Sequence, residues 1–198
     1  VDGDTVVVPY SSGELFALRV ENGRTAWADS LAQIHAVTPL AALSDINGHP
    51  VIDRGWVFAI GHGGRMSAID LVSGNRLWDQ SVGGVQTPWV AGDFLYVLTS
   101  DAEIVCLSRH DGRIRWVTPL PQFENPVDRE GLIEWVGPVL ASDRLVIASS
   151  AGEALAVSPY TGRIMGRIRL PGGAVTAPVL AKETLFILTD DAELLALR

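Results

Sequence analysis

The chain has 198 residues, 47% hydrophobic and 19% charged, a balance that belongs to folded globular proteins and not to disordered ones. Its 15 basic residues stand against 23 acidic ones, for a formal net charge of −8. No block of Lys or Arg is present to neutralise a row of phosphates, which argues against a nucleic-acid partner. No apolar run reaches the roughly 18 residues needed to cross a bilayer, and the opening VDGDTVVVPY lacks the charged start and apolar centre of a signal peptide. Any export signal or lipid attachment site would have to lie upstream of Val1. The single Cys106 leaves no partner for an internal disulfide or a multi-cysteine zinc site, and its apolar setting, EIVCLS, predicts an inert buried thiol.

In chain order, one strand pattern occurs five times: GELFAL at Gly13, GRMSAI at Gly64, AEIVCL at Ala102, GEALAV at Gly152 and AELLAL at Ala192. A proline lies 14 residues before each of the last four copies, at Pro50, Pro88, Pro138 and Pro178. A turn glycine follows ten residues after each of the first four, at Gly23, Gly74, Gly112 and Gly162. Four residues beyond the first three of those glycines stands a tryptophan, Trp27, Trp78 and Trp116, and Gly166 takes its place in the fourth copy. Between these landmarks run WVFAIG, FLYVLTS, RLVIASS and TLFILTD, separated by DRG, AGD, ASD and DDA, which supply the Asp and Gly chemistry of tight turns. No stretch sustains a helical period.

Each repeat thus reads as four antiparallel strands in about 40 residues, the signature of a β-propeller blade. The fold class is all-β, with repeats at about 1–31, 32–82, 83–120, 121–170 and 171–198. Val1 falls at the first strand of a blade and the chain stops after a third strand, so the predicted architecture is about four blades plus a three-stranded remnant, the C-terminal part of a larger ring. The tryptophans are expected to dock one blade on another, because an indole buries on the order of 150–250 Å² of mostly apolar surface.

Two insertions lengthen the links between blades: AQIHAVTPLAALSDINGH and PQFENPVDREGLIEWVG. In the first, Asp45 and Asn47 can bond their own backbone, Gly48 permits a positive φ, and Pro50 starts the next strand. Calcium is excluded there by position. Counted from Asp45, the glycine is fourth and the twelfth residue is Trp56, where an EF-hand loop needs Gly at the sixth place and Glu at the twelfth. His35, His49, His62 and His110 show no ligand spacing. Ser11 and Ser149 sit in strand-to-strand turns, whereas a hydrolase elbow joins a strand to a helix. No catalytic residue, metal or cofactor is therefore assigned. In the second insertion Phe123, Glu124, Asp128 and Glu134 read as a rim around an anchor at Trp135, a further docking candidate.

The pattern G-x-L-x-A-L, ten residues, G-x-x-x-W resembles the repeat of the pyrroloquinoline-quinone-type propellers. The run ALSDINGHPVIDRGWVFAIGHGGRMSAIDLVSGNRLW and the stop after AELLALR narrow the resemblance to the BamB family. That resemblance implies an eight-bladed ring and a lipid-anchored, non-enzymatic scaffold at the periplasmic face of the outer membrane. It implies binding to the POTRA domains of BamA and to other assembly-machine subunits, and contact with nascent outer-membrane proteins. The loop matching Leu43, Ser44, Asp45 and Asn47 carries the BamA contact, through two acids two positions apart. Here the first is Asp45, while Asn47 keeps the hydrogen-bonding capacity of the second and loses its charge. A further family contact, built on leucines and an arginine, would lie upstream. The alternative from a different class is a fragment of a quinone-dependent dehydrogenase, whose channel would need clustered carboxylates and amides that this chain does not show.

Overall fold

In the computed structural model, residues 1–31 and 46–198 are described, and among them every regular element is a β-strand. The chain divides into two compact units, Val1–Leu95 with Leu107–Arg113, and Tyr96–Cys106 with Ile114–Arg198.

The first unit opens with β1 (Thr5–Pro9), β2 (Glu14–Arg19) and β3 (Thr25–Ser30), a three-stranded sheet in sequence order. Ahead of β1, only the bridge between Asp2 and Thr5 stands where the later sheets carry a first strand. The next sheet has four strands in order: β4 (Val51–Asp53), β5 (Trp56–Gly61), β6 (Arg65–Asp70) and β7 (Arg76–Gln80). Val57 faces Ile69 and Phe58 faces Ala68 across β5 and β6, so the alternating apolar residues of neighbouring strands share a face. The core between these two sheets is built from Leu15, Ala17, Leu31, Val57, Ala59 and Ile69, all essentially without solvent contact. At roughly 25 cal/mol per Å² of apolar surface removed from water, such face-to-face burial is the main force holding adjacent sheets.

A third sheet, of strand order β11-β10-β9-β8, contributes to both units: β8 (Trp89–Ala91), β9 (Phe94–Leu98), β10 (Glu103–Ser108) and β11 (Ile114–Pro119). In the second unit follow a two-stranded hairpin, β12 (Phe123–Asn125) and β13 (Glu130–Leu132), and a four-stranded sheet, β14 (Trp135–Ala141), β15 (Arg144–Ser149), β16 (Glu153–Val157) and β17 (Ile164–Arg169). The last sheet has three strands, β18 (Val179–Ala181), β19 (Thr184–Leu188) and β20 (Leu194–Leu197). The second insertion, PQFENPVDREGLIEWVG, therefore carries its own hairpin.

Two details differ from the sequence expectation. Pro50, Pro88 and Pro178 immediately precede β4, β8 and β18, but Pro138 lies inside β14. It is tolerated there because β14 is an edge strand and its pairing with β15 slips between Val136 and Val139, so no ladder bond needs the missing N–H. The second is a recurring bulge in the pairing of the outer strands, at Ala17/Leu18, Ala68/Ile69 and Ala156/Val157. In the first two cases the bulge falls just before the tryptophan and re-aims its side chain toward the adjoining sheet.

Candidate docking surfaces

Each of the three repeat tryptophans, Trp27, Trp78 and Trp116, meets the turn of the following repeat. The Trp27 indole N–H donates to the Leu71 carbonyl at 2.8 Å, Trp78 to Arg109 at 2.7 Å and Trp116 to Pro159 at 3.1 Å. Three residues beyond each acceptor lies a left-handed glycine, Gly74, Gly112 or Gly162, and a Cβ there would come within 2.5–2.6 Å of the indole. The glycine therefore serves two needs at once, a positive φ in the turn and a flat seat for the ring. Gly166, at the tryptophan position of the fourth repeat, has open space around it.

The joint between the second and third sheets carries an addition that the sequence reading missed. Arg109 stands where the sister repeats have Leu71 and Pro159, and it is only 3% exposed. Its guanidinium lies 5.5 Å from the ring centre of Trp56 and 5.4 Å from that of Phe58. It pairs with the Asp53 carboxylate and donates through Nη2 to the Asp53 carbonyl at 2.6 Å. The signal available beforehand was the charge itself, at a repeat position otherwise occupied by apolar residues.

Of the first insertion, Leu43, Ser44 and Asp45 lie outside the described residues. Its described end is held at two points around an exposed Asn47. Ile46 is 5% exposed within the core of the first two sheets, and the His49 N–H donates to Thr87 Oγ1 at 3.0 Å. Gly48 packs against the backbone of Gln86, whose carbonyl oxygen would lie 2.6 Å from an added Cβ. Here the expected reason for glycine is corrected: Gly48 is not among the positive-φ residues, and close backbone approach is what requires it.

The second insertion also departs from expectation. Trp135 is buried, not presented as an anchor, and its indole N–H donates to the Pro121 carbonyl at 2.8 Å. Glu124, Asp128 and Glu134 are exposed and Phe123 is half-buried. The hydroxyl of Ser149 donates to the Glu153 carbonyl at 3.1 Å and accepts the Glu153 N–H at 3.3 Å, which accounts for it as a turn residue. His110 lies at the surface, edge-on to Trp56 at 6.0 Å and 3.4 Å from Asp93. Cys106 is buried, and burial pushes its thiol up to about 12. Among the described residues, no group of His, Cys, Asp and Glu has metal-binding geometry.

Repeated four-stranded antiparallel sheets, joined by an indole seated on the next repeat's turn, are the blades of a β-propeller. The chain belongs to the family described as outer membrane protein assembly factor BamB, whose profile matches residues 1–118 and 126–198. The BamB protein of Moranella endobia is 22% identical over 193 residues, covering 98% of this chain and 47% of that protein. The Escherichia coli protein is 27% identical over 188 residues, covering 93% and 45%. The chain thus spans about half the length of these relatives. Among solved structures, BamB from Moraxella catarrhalis superposes with a TM-score of 0.84 at 16% identity, over 99% of this chain and 56% of that one. A computationally designed protein, Ika8, superposes at 0.72 with 14% identity, over 100% and 56%. At these identities the superpositions speak for the fold. The family match favours the scaffold reading over the dehydrogenase alternative, since the matching proteins are named as outer membrane protein assembly factors.

Proposed function

We propose that this chain is part of a non-enzymatic scaffold that assists insertion of β-barrel proteins into the outer membrane, and that it binds the periplasmic POTRA domains of BamA. Family membership over nearly the whole chain carries this reading, since the matched relatives are named as outer membrane protein assembly factors. The site is the loop of Leu43, Ser44, Asp45 and Asn47. Its support is local: Asn47 is exposed between a buried Ile46 and a Gly48 pressed against Gln86, so this residue is presented from a fixed base. The full-length protein sits at the periplasmic face of the outer membrane, held by a lipid anchor outside these residues, among the other subunits of the assembly machine and its nascent clients.

The mechanism is complementary docking without covalent chemistry. Asp45 offers a carboxylate to basic or backbone donors of the partner, and Asn47 offers a neutral amide beside it. In a titration against the isolated periplasmic domains of BamA, Asp45→Arg is expected to weaken binding about tenfold or more, as for a charge reversal at an interface centre. Asn47→Asp is expected to tighten binding and steepen its dependence on salt. Unchanged affinity in Asp45→Arg, with an unchanged melting temperature, removes the loop from the interface.

A further inference from the structure

The hairpin β12–β13 is short, and two strands of this length are marginal in water by themselves. It is nevertheless fixed at its base. The Ile133 N–H donates to the Gln122 carbonyl at 2.9 Å, and Gln122 Nε2 donates to the Asp101 carbonyl at 2.8 Å. The Glu134 N–H donates to Ser150 Oγ at 3.0 Å, and the Ser150 N–H returns a bond to the Glu134 carbonyl at 2.8 Å. With the buried Trp135 bonded to Pro121, the hairpin stands on the turns that follow β9 and β15. Its tip is closed by Asn125, whose Oδ1 accepts from Val127 and Asp128 and whose Nδ2 donates to the Asp128 carboxylate.

This ordered element exposes two aliphatic side chains. Val127 is 87% exposed and Leu132 65%, and Leu132 lies opposite the half-buried Phe123 in the register. A cleft of about 510 Å³ runs beside Phe123 between Pro121, Gln122, Pro126 and Arg129. The same segment carries four exposed acids, Glu124, Asp128, Glu130 and Glu134, against the single base Arg129. Neither outer edge of the hairpin is paired with another described strand.

We infer that the β12–β13 hairpin is a second docking element, which receives an extended polypeptide segment of alternating basic and aliphatic side chains as an added strand. Backbone pairing along a free edge supplies affinity without regard to sequence, and the alternation puts aliphatic side chains on Leu132 and Val127 while the basic ones meet the exposed acids. The ordered base means that little entropy is lost on binding. The family profile does not match residues 119–125, which include β12, so the inference stands on this chain's hairpin and not on the loop at Asp45.

The test is fluorescence anisotropy of a labelled peptide alternating lysine and valine, titrated with the full 198-residue chain. Saturable binding is expected, weakened about tenfold by the double variant Val127→Ser/Leu132→Ser. The variant Glu124→Gln/Glu130→Gln is expected to bind more weakly and with a shallower salt dependence. The inference is overturned by an absence of saturable binding, or by unchanged binding in both variants at unchanged melting temperature. Equal binding of a glutamate–valine or a lysine–serine peptide also overturns it, the first by removing the charge match and the second the aliphatic contact. Asp45→Arg separates this site from the loop: it should leave peptide binding intact whatever it does to the BamA domains.

Discussion

The Trp78 indole N–H reaches the carbonyl oxygen of Arg109, and the Arg109 guanidinium reaches back to the Asp53 carboxylate and lies against Trp56 and Phe58. One residue thus receives the docking tryptophan through its backbone and locks the same pair of sheets through its side chain. Phe58 closes the circuit, its ring 6.1 Å from that of Trp78.

Removing the indole tests the joint most directly. Trp78→Ala is expected to cost no more than the low end of about 3–5 kcal/mol, measured by urea unfolding, since the indole is half-buried and its loss leaves the Arg109 carbonyl without its donor.

The seat can be tested apart from the ring. Gly112 and Gly23 share a left-handed backbone, φ +67 and +68, but an added Cβ meets Trp78 at 2.5 Å in the first case and nothing within 4 Å in the second. Gly23→Ala is expected to cost about 1–2 kcal/mol from backbone strain alone, and Gly112→Ala about 1–3 kcal/mol more from overpacking. Equal losses in parallel unfolding curves would place the whole effect in the turn.

Breaking the Arg109 pair from either side should give unequal results. Asp53→Ala leaves a buried guanidinium without its carboxylate, and the expected loss sits at the low end of about 3–5 kcal/mol, because the Asp53 side chain is 38% exposed. Arg109→Leu, which installs the residue of the second repeat, removes the charge together with the need for a partner and should cost less in the same melts.

Cys106 offers a pH test. Its folded pKa of about 12 lies above the ordinary value of 9.0, because burial disfavours the thiolate. The folded chain therefore holds that proton more tightly than the unfolded one. The resulting stability is complete below about pH 9 and declines as the pH rises toward 12. Tyr96, also raised to about 12 and chiefly by burial, adds to the decline above pH 10. A thiol reagent at pH 8 should label Cys106 slowly in the native chain and rapidly in urea, and Cys106→Ala should flatten part of the alkaline decline.

Gly48→Ala should act on the loop more than on the fold. The new methyl group would press on the Gln86 carbonyl, a backbone atom that cannot swing aside, so the Ile46–His49 segment must move. The expected result is about 1–3 kcal/mol lost in the melt and, on the proposed reading of the loop, weaker binding to the BamA domains.

The spacing of Gly13, Gly23, Trp27 and Pro50 and of their counterparts was sufficient to predict strands, turns and the blade repeat, because strand alternation and turn chemistry are local properties of the chain. The exclusion of an EF-hand loop and of a serine elbow was also legible, since both depend on fixed positions in sequence. What the sequence could not state is which glycine each tryptophan meets. Trp78 is four residues after Gly74 but seats on Gly112, a pairing across sheets that only packing creates. For the same reason Trp135, Gly48 and Arg109 changed meaning in three dimensions. Burial turned an expected anchor into a pillar, a neighbouring backbone made Gly48 a matter of space and not of φ, and two aromatic rings with one carboxylate made a lone arginine part of the core. Residue type and spacing determined the elements; the close approach of distant backbone and rings decided what each landmark does.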